Sequence, residues 1–381
     1  MKKIFAFLVL VAGLVQAAAA IPAFARKYSY SCDVCHAPVP RLKAFGEEFM
    51  DNGYRLPDNE PPRATIDTGD PLLLLQRTLP LAFRFDAYLA YEPEADITGD
   101  FRAPLAMKIL SGGNISDDIS YYTYFLMAED GKVAGLEDTF LSFRNVFGLP
   151  LDMMFGQYRV SDPIKATETR LTVENYALFK FRVGDSRINL AYDRGLLLST
   201  KTGFGLDVVA QIVNGNGIEE QEIFDSDKYK SLVGRLAQSF AGGRIRVGVL
   251  GYAGKEAGAG GAVNAVTYLG PDLLLRLPNV EFLLAYVKRT DSNPLFERVD
   301  TEQTSEAVLA EAILSPWGEQ GRTFFTLAWN RVNSSLDADD ANALTVNVSR
   351  LIRRNLRWTA EYTRDFERKE DRWLTGIVTA F

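Results

Sequence analysis

From Thr78 to the last residue one pattern repeats: segments of about ten residues in which apolar and polar side chains alternate. In the first, Phe83, Phe85, Ala87, Leu89 and Tyr91 share one parity, and Arg84, Asp86, Tyr88 and Ala90 the other. Residues 176–183 read the same way, with Ala177, Phe179, Phe181 and Val183 against Tyr176, Leu178, Lys180 and Arg182. So do Ile245, Val247 and Val249 against Arg244, Arg246 and Gly248, and Leu356, Trp358, Ala360 and Tyr362 against Arg357, Thr359, Glu361 and Thr363. Ser111-Gly112-Gly113-Asn114, Asn214-Gly215-Asn216-Gly217 and Asp337-Ala338-Asp339-Asp340 punctuate the segments as turns. About sixteen such segments fit into residues 78–381, the density of an all-β, transmembrane antiparallel β-barrel with short turns. A soluble sandwich or propeller also alternates, but there is no Trp-Asp or Gly-rich blade repeat here. After the first twenty residues no apolar run approaches the roughly 20 needed for a membrane helix.

Two further features point to a bilayer. Aromatic residues make up 12% of the chain and gather near strand ends, as an interfacial girdle requires. The chain also finishes on an amphipathic strand, Trp373 to Phe381. A terminal aromatic on a last strand resembles the assembly signal of bacterial outer-membrane proteins. Met1–Ala20 reads as a signal peptide: Lys2 and Lys3, an apolar core from Ile4 to Val15, then Ala18-Ala19-Ala20 before cleavage. Loss of that leader takes the formal charge from −7 to −9, so the mature chain has no general attraction for nucleic acid.

The two cysteines and the single histidine of the chain fall together in Cys32-Asp33-Val34-Cys35-His36. A CxxCH run is the attachment signal for a c-type haem: the thiols form thioethers with the vinyl groups and the histidine reaches the iron. A redox disulfide does not need the histidine, and a zinc site needs a fourth ligand that no other Cys or His supplies. Export suits haem as well, since c-type haem is attached after export. One motif means one covalent haem, and one histidine excludes bis-histidine ligation. The distal position then falls to a methionine, another side chain, water or nothing. Met50 is the nearest methionine, on a helix expected over Arg41–Asn52, and Met154 the second candidate on a lumen-like parity. Leu42, Phe45 and Phe49 share one face of that helix, suited to packing on a porphyrin. Residues 21–77 therefore form a small haem segment and a proline-rich connector, too short for a robust independent core and placed economically as a plug in the lumen. Residues 78–381 form the barrel.

Pro22-Ala23-Phe24-Ala25-Arg26, the CxxCH run, Phe45-Gly46-Glu47-Glu48-Phe49 and Gly53-Tyr54 together resemble the N-terminus of the fused monohaem cytochrome–porins, which include outer-membrane iron oxidases of iron-oxidising bacteria. The resemblance implies haem on Cys32 and Cys35, iron on His36, and electron transfer through the bacterial outer membrane. Its partners would be membrane lipid, a periplasmic carrier such as a soluble cytochrome, and extracellular Fe(II) or another redox partner. Two other functions compete: a diffusion porin whose haem plug is structural or sensory, and a haem enzyme acting on a small ligand. Asp162-Pro163-Ile164-Lys165 reads as a turn, Gly258-Ala259-Gly260-Gly261 as a flexible loop or tight turn, and Asp117-Asp118 as a solvated turn.

Overall fold

The computed structural model describes residues 23–56, 60–61, 64–73, 75–77, 80–218, 224–258, 260–297, 301–336 and 340–381. The leader assigned to Met1–Ala20, residues 337–339 of the acidic run and Ala259 lie outside them. Three short helices come first: α1 (Ala23–Tyr28), α2 (Cys32–Cys35) and α3 (Ala44–Asp51). A two-residue pair, β1 (Thr65–Ile66) with β2 (Leu75–Gln76), follows in the connector.

The strands then run β3 (Leu81–Tyr91), β4 (Gly99–Asn114), β5 (Ile119–Glu129), β6 (Gly135–Phe143), β7 (Asp152–Arg159), β8 (Tyr192–Lys201), β9 (Leu206–Val213) and β10 (Ser231–Phe240). They continue as β11 (Ile245–Ala257), β12 (Val263–Leu277), β13 (Val280–Asp291), β14 (Gln303–Leu314), β15 (Thr323–Ser334), β16 (Ala341–Arg353), β17 (Leu356–Asp365) and β18 (Glu370–Ala380). Each pairs antiparallel with its sequence neighbours, and β18 pairs with β3, so sixteen strands close a barrel. Closure leaves no unpaired sheet edge, which a hydrocarbon surround demands. The terminal residue completes the seam: Phe381 and Phe83 exchange backbone hydrogen bonds of 2.8 and 2.6 Å, and their rings stack at 5.9 Å.

The burial pattern is inverted relative to a water-soluble protein. Leu232, Leu236, Leu269, Leu284 and Leu327 are exposed on the outer face, while Arg235, Asp272, Glu311, Asn347 and Thr359 are buried inside. Large apolar side chains outside and charge inside is the stable arrangement only where lipid lies outside. The alternation in Phe83–Tyr91, in Ile245–Val249 and in Leu356–Thr363 resolves in this sense, with Asp86, Arg357, Glu361 and Thr363 among the buried set. Both ends of the barrel chain, Leu81 and Ala380, lie at one end, where the turns are short (residues 278–279 and 354–355). Longer connections, such as residues 92–98 and the one that begins at residue 160, leave from the other. The short-turn end is the periplasmic one.

Three local expectations need correction. Residues 176–183 are not a strand: residues 160–191 leave the outer end of β7 and fold into the lumen, carrying one helical turn, α4 (Ala177–Lys180). Residues of both parities are buried there: Tyr176 and Leu178 as well as Phe179, together with Ile188 and Leu190, join a cluster with Leu250, Tyr252, Tyr268, Val287 and Leu309 of the inner wall. The polar groups that a strand would pair are taken instead by wall side chains: the Val173 and Glu174 amides donate to Glu361 at 2.7 and 2.9 Å, and Tyr176 Oη to Glu311 at 2.7 Å. Second, Ser111–Asn114 is not a turn; β4 runs through it, and the turn is residues 115–118. Third, the helix expected over Arg41–Asn52 starts at Ala44, because Leu42 is held extended in a bridge with His36.

Candidate functional site

The CxxCH run folds as a single turn closed tightly on itself. The His36 amide donates to the Cys32 carbonyl at 2.9 Å, so Cys32 and Cys35 stand three residues apart on one turn of α2. Both thiols are free of any disulfide, and burial pushes each thiol pKa up. Residues 37–41 then loop back: Ala37 N donates to Arg41 O at 3.0 Å, Lys43 N to Cys35 O at 2.8 Å, and the Arg41 guanidinium to Ala37 O at 2.9 Å. The loop brings the Pro40 carbonyl to 3.1 Å from His36 Nδ1. A carbonyl only accepts, so Nδ1 carries the proton and Nε2 keeps its lone pair, the state a metal ligand needs. Burial lowers the His36 pKa, against its hydrogen bonds to the Pro40 and Arg41 backbone, and the nearby Lys43 and Arg84 cations lower it further.

Helix α3 leans on this turn through Gly46. A Cβ there would collide with the Cys35 carbonyl and press on Leu42. Met50 follows Gly46 by four residues and so lies one turn along the same stripe, half-buried. Phe45 and Phe49 have aromatic neighbours. Phe45 meets Tyr30 at 6.2 Å, and Phe49 is buried edge-on to Phe24 at 5.1 Å and Tyr28 at 5.6 Å. Met154 sits on β7, packed against the lumenal cluster rather than within the segment.

The segment is fastened to the periplasmic half of the wall at several points. Tyr54 stacks on Tyr122 of β5 at 4.2 Å and on Phe24 at 5.5 Å. Gly53, at φ +68°, passes so close to Ser120 and Ser142 that no side chain fits. Arg55 donates to the Asp117 carbonyl in the turn after β4, and Cys32 Sγ lies 3.6 Å from Asn355 Oδ1 in the turn before β17. Arg41 and Glu47 engage Glu281 and Arg276 on either side of the β12–β13 turn. Lys165 of the infolded segment reaches the same Glu281 at 3.6 Å, and Leu171 belongs to the same buried apolar cluster as Ala37. The N-terminal segment is therefore held against the wall at the short-turn end, next to residues of the infolded segment. Sequence reasoning missed this second lumenal element, whose polar anchors lie far away in the chain. Among the described residues no group of three or more His, Cys, Asp or Glu side chains is placed to hold a metal ion.

A closed sixteen-strand barrel with an apolar outside and buried charge inside is the fold of outer-membrane porins. Solved structures agree. The anion-selective porin from Comamonas acidovorans matches with a TM-score of 0.59 at 11% identity, covering 80% of this chain and 99% of that one. OmpT of Vibrio cholerae matches with a TM-score of 0.58 at 12% identity, covering 80% and 99%. The DcaP channel of Acinetobacter baumannii matches with a TM-score of 0.57 at 11% identity, covering 79% and 96%. At such identities the likeness is one of fold. No family model matches the chain, and no curated protein matches it.

Proposed function

We propose that this outer-membrane barrel carries one c-type haem on its periplasmic plug and exchanges electrons through it. The reading rests on one observation: the only two thiols and the only imidazole of the chain meet on one turn, with both thiols free of a disulfide and His36 Nδ1 turned to the Pro40 carbonyl. Cys32 and Cys35 would form the thioethers, His36 would ligate the iron, and Met50, on the stripe of α3 that faces the turn, is the candidate for the opposite position. The haem iron, when bound, supplies one-electron chemistry. The fused cytochrome–porin resemblance of residues 22–54 supports the same reading.

The position of the site narrows the partners. Cys32 lies beside a periplasmic turn, within reach of a soluble carrier in the periplasm. The outer face is most of a hydrocarbon thickness away, roughly 30 Å. An external donor must therefore be small enough to enter the lumen, as Fe(II) is.

A second reading, a diffusion porin whose plug is structural or sensory, is favoured by the comparisons, since the neighbours are porins and channels. Two measurements on the detergent-folded chain separate them. Electron carriage requires haem that stays with the polypeptide through a denaturing gel, reduced by Fe(II) or oxidised by Fe(III) within seconds. Steady ion conductance in a bilayer, with no iron exchange, would establish the porin reading instead. A five-coordinate, carbon monoxide-binding haem without iron exchange would move the assignment to a ligand-binding haem protein.

A further inference from the structure

Among the described residues two buried arginines in the plugged half of the barrel have no ion pair: Arg55, which donates to the Asp117 carbonyl, and Arg357. Arg357 is the second residue of β17, faces the lumen and is 3% exposed. Its Nη1 donates to two neutral oxygens, Leu171 O at 3.3 Å and Ser349 Oγ at 3.2 Å. Its Nε finds no partner among the described residues. Two carboxylates face it, Asp86 and Glu361, and both are taken. Asp86 is gripped by the Arg84 fork at 2.9 and 2.6 Å. Glu361 accepts from the amides of Val173 and Glu174 and from Asn347. Other buried arginines of the wall are differently placed: Arg235 holds Asp272 and Arg289 holds Asp291 through two hydrogen bonds each. Burying a guanidinium without a counter-charge is costly, and its Nε–Nη2 edge is the one that grips a carboxylate with two parallel bonds.

The location says which carboxylate. Asn355, two residues earlier, touches Cys32; at about 3.3 Å per residue Arg357 stands about 7 Å deeper along the wall. Leu171, whose carbonyl accepts from Arg357, belongs to the same buried apolar cluster as Ala37, the residue after His36. We propose that Arg357 binds a propionate of the haem joined to Cys32 and Cys35, an inference that rests on the haem reading above. A porphyrin carries its propionates on the edge opposite its vinyl groups, so thioethers at the periplasmic turn aim the carboxylates inward. The barrel wall is then part of the cofactor site, and Arg357 is a positioning residue that also biases the redox state.

The test compares Arg357→Gln, Arg357→Lys and Arg357→Met in the full chain, by redox titration and by thermal unfolding. Loss of a nearby positive charge favours the ferric form. Arg357→Gln is expected to raise the ferric-to-ferrous ratio at fixed potential about tenfold, equivalent to about 59 mV for a one-electron couple. Arg357→Lys should stay within about threefold of the parent. Arg357→Met should lower the thermal midpoint of the haem-loaded chain and leave that of Cys32→Ala/Cys35→Ala unchanged or raised, since an unpaired buried charge is there replaced by an apolar side chain. An unchanged redox ratio in Arg357→Gln overturns the proposal. Equal thermal shifts with and without haem also overturn it, because the anion would then be a solute or absent. If the parent chain carries no covalent haem on a denaturing gel, the haem reading itself fails, and that result is visible before any variant is made.

Discussion

Gly46 is where the plug's helix and its thiol-bearing turn touch backbone to backbone. Gly46→Ala forces α3 off the Cys35 carbonyl, and overpacking of this kind costs about 1–3 kcal/mol. We expect a lower unfolding midpoint and a lower yield of covalent haem; an unaltered yield would show that α3 does not hold the turn in place. Met50→Ala is a sharper probe. If Met50 is the sixth ligand, the visible and near-infrared spectra change from low-spin to high-spin with little loss of haem, and an unchanged spectrum removes Met50 from that role. At this scale the motif was legible in full, because CxxCH spacing is local. The partners of Phe45 and Phe49 were not legible. Periodicity placed them on one face, and only the fold shows that this face turns to Tyr30, Phe24 and Tyr28. The His36–Pro40 contact was equally hidden, since it depends on a loop that returns the chain to Leu42.

The element that most exceeds its sequence signal is the infolded segment, residues 160–191. Its alternation is real, but it serves a lumenal core rather than a lipid face, and a two-residue period cannot tell the two apart. A carboxyl at its root gives it a pH dependence. Burial pushes Asp162 up to about 7, above its ordinary 3.8. The folded state therefore binds the proton more tightly than the unfolded chain. That contribution is complete at low pH and is lost as pH rises from about 4 to about 7. Asp162→Asn should flatten this part of the stability profile in denaturant titrations run across that range; a parallel profile would rule Asp162 out as its source. The plug's own attachment is tested by Tyr54→Ala, which removes rings stacked on Tyr122 and Phe24 and should cost about 2–3 kcal/mol. Proteolysis in detergent should then cut residues 23–56 well before the barrel.

For the whole molecule, barrel class and an approximate strand count were readable from repetition, because a lipid exterior imposes the same rule on every strand; the exact count was not, since residues 176–183 alternate without being a strand. What repetition could not supply was the content of the lumen, which is built from contacts between residues as distant as Arg41 and Glu281. Plug and infolded segment meet at that carboxylate, so they obstruct the lumen in series. Weakening the plug by Arg41→Ala with Tyr54→Ala should raise single-channel conductance in planar bilayers at least severalfold. No rise would place the barrier to ions in the infolded segment.

The seam between β18 and β3 carries a consequence for biogenesis. The first barrel strand waits for the last, so the cylinder cannot shut until the whole polypeptide has arrived. The contacts that hold residues 23–56 against the wall, Arg41 with Glu281 and Cys32 with Asn355, use residues from the far half of the chain. The amino-terminal stretch therefore stays loose in the periplasm until those late strands have formed, and its docking and the closing of the cylinder belong to the same last stage of assembly.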